Sequence, residues 1–236
     1  MQISSQVTTW LWVGFYAMAI GTALIYLIGS TLKQNQKHHA YLAMIITTIA
    51  ALAYYAMANG QGVFLINGKE IFVSRYIDWL LTTPLLLLSL WLIAFPAKEA
   101  SKTREKIGLF STVIFADIVM VVTGLFASMS SNPNNNKFWF VISFIAFLVI
   151  IVQMYGPVRK QAKALGGSGN MFFNKMLNYL MFLWLFYPLV WLLGTSGRDK
   201  IHLGAETSLY VILDVSAKVF FGLILVMNLK GIKNIE

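Results

Sequence analysis

The sequence predicts an all-α membrane protein: a bundle of seven transmembrane helices with a short β-hairpin between the second and third. Three observations carry that prediction. Hydrophobic residues fill 58% of the 236 positions and charged residues only 11%, against about 25% charged in a soluble domain. Mean hydropathy is +0.70. Apolar runs recur at 9–32, 39–59, 73–95, 107–129, 137–158, 173–195 and 204–229, each near the ~20 residues that a helix needs to cross a ~30 Å hydrocarbon core. These spans and their short connections use up the chain, so 1–236 is read as one domain.

The elements follow in order. Met1 to Thr9 lacks a basic stretch of the kind that opens a cleaved signal, so the first span is expected to stay as an anchor. Before the second span come Gln36, Lys37, His38 and His39. With no carboxylate near them, the two histidines read as a solvated pair at a helix edge and not as a metal site. Between spans two and three, β-branched and aromatic residues flank Asn67-Gly68 across 62–73, a strong hairpin signal. Span three contains Thr83-Pro84, and Pro188 is expected to kink span six. Ser130 to Asn136 separates spans four and five, and Gly166 to Asn170 separates five and six. There are no cysteines, hence no disulfides, thiolate metal sites or cysteine nucleophile.

The formal charge of +9 would suggest nucleic acid in a soluble protein. Here it is a topology signal. The loops after spans one, three and five and the C-terminus hold 12 Lys and Arg, among them Lys33, Lys37, Lys98, Lys102, Lys230 and Lys233; the opposite side holds 4, Lys69, Lys137, Arg198 and Lys200. Cytoplasmic loops carry the excess, so the N-terminus is expected outside and the C-terminus in the cytoplasm. The expected location is the cell membrane, with the lipid bilayer as the first partner and no nucleic acid.

Two basic residues remain, Arg75 and Lys218, and both fall within spans. Asp78, Asp117 and Asp214 do too, with Glu206 near the start of span seven. Charge inside a bilayer is costly and marks function. Lys218 lies too deep to reach water by extending its side chain. A buried amine is suited to Schiff-base formation with an aldehyde, and once protonated it needs a counterion. Asp214 is four residues earlier on the same helical face. Asp78 is a second candidate from span three, with Arg75 one turn further outward. The alternative is a structural salt-bridge cluster. Asp78, Thr82 and Ser89 form a polar stripe at helical spacing, although the Ser89 hydroxyl alone reads more simply as bonded to its own turn. Trp184, Tyr187 and Trp191 share one face of span six, and Trp79 lies in span three. A stripe of rings is more often core than cofactor site, but at the depth of Lys218 it suits a flat conjugated ligand.

The motifs Arg75-Tyr-Ile-Asp78-Trp79-Leu-Leu-Thr82-Thr83-Pro84, Trp184-Leu-Phe-Tyr187-Pro188-Leu-Val-Trp191 and Leu213-Asp214-Val-Ser-Ala-Lys218 closely resemble those of microbial (type 1) rhodopsins of the bacteriorhodopsin and proteorhodopsin kind. The resemblance covers nearly the whole chain. It implies all-trans retinal bound covalently to Lys218 as a protonated Schiff base, with Asp78 as primary counterion and proton acceptor, Asp214 as second counterion and Arg75 as a gate. It places Trp79, Thr83, Met120, Gly124, Ser143, Trp184, Tyr187, Pro188 and Trp191 in the chromophore pocket. It matches Tyr55 to a tyrosine that bonds the span-seven aspartate, Asp117 to an aspartate that bonds the span-three threonine, and Leu86 to a tuning position. It also implies a homo-oligomer.

The departures bear on mechanism. The three diagnostic positions of span three read Asp78, Thr82 and Ser89. Outward proton pumps resembling this chain usually carry an acid at the third, the internal donor. On the release side Glu206 matches one member of a glutamate pair, and the other falls on Ser196. The histidine that bonds the acceptor in proteorhodopsins is absent, with Tyr54 in its place. The first expectation is therefore a light-driven outward proton pump with no internal carboxylate donor, reprotonated from the cytoplasm. The alternative is a sensory photoreceptor without net transport, for which no transducer is evident, and after it an inward proton pump; relatives of both kinds have proline where this chain has Asp214. Chloride and sodium pumps differ at the triplet, Phe140 stands where carotenoid-binding relatives have glycine, and nothing suggests an enzyme or a bound metal.

Overall fold

The computed structural model describes residues 4–66, 68–95 and 103–229. Asn67 of the expected turn and the basic residues Lys98, Lys102, Lys230 and Lys233 lie outside the described residues. The first helix, α1, runs Ser5–Ser30, and Ser4 caps it by accepting from Val7 N at 3.4 Å. That cap explains a start ahead of the apolar run: a serine oxygen satisfies one of the free first-turn amides. α2 spans Lys37–Ala58. The expected hairpin follows as β1, Val63–Ile66, and β2, Lys69–Phe72, antiparallel with Val63 opposite Phe72 and Ile66 opposite Lys69. α3, Val73–Ala94, continues directly from β2.

α4 is Thr103–Met129. α5 is Pro133–Gln153, where Asn132 accepts from Asn134 N at 2.8 Å and Pro133 occupies the first turn. Both are helix-start residues: the side chain replaces a missing carbonyl, and proline lacks only an amide that would be free anyway. The helix loosens into a π-helical turn at Met154–Val158 around Pro157, then α6, Arg159–Ala162. α7 is Gly166–Trp184 and α8 is Phe186–Leu193. The break at Leu185 has a cause three residues on. Pro188 has no amide for the carbonyl of Trp184, and its ring crowds it. α9, Leu203–Asp214, passes through a second π-helical turn, Val215–Phe220, into α10, Phe221–Leu229.

The helical stretch Pro133–Leu193 has 61 residues. Straight, it would be about 90 Å long, three times a bilayer core. Gly166, at φ +77°, turns the chain within it; a left-handed backbone of this kind favours glycine. The stretch therefore makes spans five and six, and α9 with α10 makes the seventh. Span windows two, three and seven are 50%, 50% and 56% buried, against 28% for one and four. Spans two, three and seven thus hold the centre. The outward face is apolar, with Tyr16, Leu27, Phe115 and Val152 all more than half exposed, a surface suited to lipid and not to water.

One expectation fails in α2. Of the expected solvated pair His38 is exposed, but His39 is fully buried in the first turn of the helix, its ring 4.1 Å from that of His38.

Candidate functional site

Lys218 sits in the π-helical turn of span seven and is 2% exposed, the one buried lysine among the described residues. The wider turn leaves part of the backbone ladder out of regular register, a feature common at functional sites. Its Nζ donates to Asp78 Oδ2 and lies 3.3 Å from Asp214 Oδ1. Both acids are 1% exposed. Two buried carboxylates around one buried ammonium leave an excess negative charge, so the remaining oxygens need donors. Asp214 receives three: Tyr54 Oη to Oδ2 at 2.7 Å, Tyr187 Oη to Oδ1 at 2.8 Å and Trp79 Nε1 to Oδ1 at 3.3 Å. Asp78 has Thr82, whose hydroxyl lies 2.8 Å from Asp78 O and 3.4 Å from Oδ1.

The tyrosine that bonds Asp214 is therefore Tyr54, and the expectation for Tyr55 is corrected. Successive residues on a helix point about 100° apart, so a shift of one moves a ring off the interior face. Tyr55 is 45% exposed and packs against Trp12 and Phe15. Tyr54 fits because Gly14 has no side chain: a Cβ there would stand 2.7 Å from the Tyr54 ring.

Beside Lys218 lies an apolar pocket. It is lined by Trp79, Thr83, Met120, Gly124, Ser143, Trp184, Tyr187, Pro188 and Trp191, all of the pocket positions expected, and by Leu86. Sequence reasoning missed Tyr76, Phe144, Phe147 and Tyr210 as pocket residues. Phe140 stacks on Trp191 at 4.7 Å between centroids. Trp191 Nε1 donates to Tyr76 Oη at 3.0 Å, and Tyr76 Oη in turn shares a hydrogen bond with Ser128 Oγ. These bonds satisfy the ring-edge polar atoms of Trp191 and Tyr76. Asp117 Oδ2 lies 2.8 Å from the Thr83 hydroxyl, which also donates to Trp79 O at 2.7 Å.

From Asp78 towards the hairpin, Arg75 is 5% exposed, with its guanidinium carbon 4.5 Å from the Tyr210 ring and 4.9 Å from the Phe72 ring. Cation–π contact of this kind holds a guanidinium without fixing its donors. A small polar cavity joins Arg75, Glu70, Thr195, Ser196 and Glu206. Glu206 Oε2 accepts from Thr195 N at 2.8 Å and Thr195 Oγ1 at 2.9 Å. Lys69 Nζ of β2 donates to Thr195 O at 2.7 Å. Thr195 was not legible in the sequence: it lies outside every motif. In the other direction Ser89 is fully buried, and its hydroxyl donates to Leu85 O at 3.0 Å.

Residues 5–231 match the model of a family described as bacteriorhodopsin-like protein. The chain belongs to the bacteriorhodopsin-like family. It is 38% identical over 225 residues to a bacteriorhodopsin of Haloterrigena sp. (strain arg-4), covering 93% of this chain and 86% of that one. Its fold is similar to thermophilic rhodopsin from Rubrobacter xylanophilus, with TM-score 0.91, 33% identity and coverage of 97% and 98%. It is likewise similar to the light-driven proton pump of Coccomyxa subellipsoidea, with TM-score 0.85, 35% identity and coverage of 96% and 98%. Bacteriorhodopsin-like proteins are multi-pass membrane proteins that bind retinal covalently through a lysine and are not enzymes. The residues fit that group here. The buried lysine opens onto a pocket walled by rings, with two carboxylates at its nitrogen.

Proposed function

We propose that this bacteriorhodopsin-like protein is a light-driven outward proton pump, with its N-terminus outside and its C-terminus in the cytoplasm. The observation that carries the reading is the contact of Lys218 Nζ with Asp78 Oδ2 at the inner end of a polar route to the hairpin. Lys218 would hold retinal covalently, and the bound group would supply light absorption and a light-driven isomerisation. Asp78 Oδ2, in contact with Lys218 Nζ, takes its proton. Asp214, held by Tyr54, Tyr187 and Trp79, has its lone pairs engaged by three donors, which leaves Asp78 the more open acceptor. Neutralising Asp78 weakens its pull on Arg75, three residues away. The guanidinium, gripped by ring faces, is free to turn towards Glu206, where it favours loss of a proton at the hairpin end. The charge count assigns that end to the exterior.

Recovery is the unusual half. Ser89 has no acid proton to offer at ordinary pH, so the proton that returns to Lys218 comes from the cytoplasm. The test is flash recovery against bulk pH: the reading requires slower recovery as pH rises, and a rate that does not change between about pH 5 and 9 contradicts it. A photosensor is the second reading, favoured by Ser89 being closed onto Leu85 O. Liposomes that show no net pH change in light would support it. The likeness to proton-pump structures and the retention of Asp214 favour the pump.

A further inference from the structure

The half of the bundle opposite the hairpin lacks a carboxyl at Ser89, but it does not lack a titratable group. His39 is fully buried, and neither ring nitrogen has a hydrogen-bond partner among the described residues. Beside it in the chain, Gln36 is also buried. Its Nε2 donates to Leu229 O at 3.2 Å, and its Oε1 is without a partner. Unpaired buried polar atoms of this sort are the ones that internal water satisfies.

Helical register places His39 on the route. His39, Ala43, Ile46, Ala50 and Tyr54 are all buried, and at 100° per residue they fall on one stripe of α2. Tyr54, at one end of that stripe, bonds Asp214. His39, at the other end, lies about 22 Å along the axis from Tyr54, whereas Ser89 lies about 16 Å along α3 from Asp78. The ring therefore stands about one turn beyond Ser89, between it and the solution.

We propose that His39 is the internal group that collects protons from the cytoplasmic end and passes them towards Lys218, taking the part that Ser89 cannot play. One ring nitrogen releases its proton through water to Lys218 Nζ, and the neutral ring then rebinds a proton from bulk solution. The inference rests on the pump reading for its direction only. The charged and titratable groups around His39 are few. His38 stacks on it from its own helix, and Lys37 precedes both. Among the helices packed on α2, α1 has no charged residue. α3 has only Arg75 and Asp78, and span seven only Glu206, Asp214 and Lys218, all at or beyond the level of Lys218. No described carboxylate on those helices competes with His39 for the incoming proton.

The test follows the return of the proton to Lys218 by flash absorbance in liposomes over a range of bulk pH. Nitrogen-labelled histidine spectra of the same protein in the dark form a second readout. In the unaltered protein the rate should level off on the acid side, and the His39 ring should take up a proton as bulk pH falls towards that plateau. H39Q should remove the plateau, so that the rate falls about tenfold for each pH unit throughout, as direct capture from solution requires. H39N provides the same comparison if H39Q folds poorly. S89D placed in H39Q should restore a recovery that is flat with pH. A plateau that persists in both variants, or a ring that stays neutral where the plateau sets in, overturns the proposal. If the profiles change as stated while illuminated liposomes show no net pH change, His39 still feeds Lys218, and it is the transport reading that fails.

Discussion

Tyr54 donates to Asp214 Oδ2 at 2.7 Å across the interface of spans two and seven, and this bond keeps one of the two acids beside Lys218 saturated with donors. The neighbouring Tyr55 faces outward. Y54F should therefore destabilise the protein by about 1.5–3 kcal/mol, the range for a hydrogen bond to a charged group, and shift the visible absorption. Y55F should change neither. Thermal melts and absorption spectra of the two variants side by side check this; equal effects would contradict the geometry.

Asp78 and Asp214 both touch Lys218, but their surroundings differ. D78N leaves the pocket and Lys218 in place, so retinal should still bind while light-driven proton release falls to background. K218A should abolish visible absorption altogether. A D78N protein that pumps at half the normal rate or better would remove Asp78 from the role of acceptor.

At the hairpin end, Thr195 holds Glu206 through its amide and its hydroxyl. T195V deletes the hydroxyl bond and keeps the amide. Proton release, read with a pH dye after a flash, should be delayed, with the transported amount unchanged. E206Q should delay it further. Release that is equally fast in both variants would remove Glu206 from the path.

Much of this site was legible because the bilayer makes charge conspicuous. Lys218, Asp78, Asp214 and Arg75 stand out in apolar runs, and the ring stripe of span six announces itself by spacing. The bundle and hairpin followed from run length and from Asn67-Gly68. Other parts depended on which way a side chain points. Tyr54 and Tyr55 are adjacent and chemically alike, and only the absence of a Cβ at Gly14 and the position of Asp214 choose between them. Thr195 lies in a loop whose course is set by Lys69 and Glu206, both distant in sequence. His39 read as solvated because polar neighbours precede it, yet the helix starts at Lys37 and turns it inward.

Ser89 offers a gain-of-function test. S89D puts a carboxyl in a fully buried position on the stripe of Asp78 and Thr82. Proton return to Lys218 should become faster at high pH and lose most of its dependence on bulk pH. A flash series across about pH 5 to 9 reads it; an unchanged profile would mean that the proton does not pass Ser89.

The central claim is outward transport driven from Lys218 through Asp78. The most direct measurement is the pH of a weakly buffered suspension of cells carrying the protein with retinal, recorded in light and dark beside D78N. The account predicts external acidification in light, abolished by a protonophore and absent in D78N. External alkalinisation, or no change at all, would contradict it.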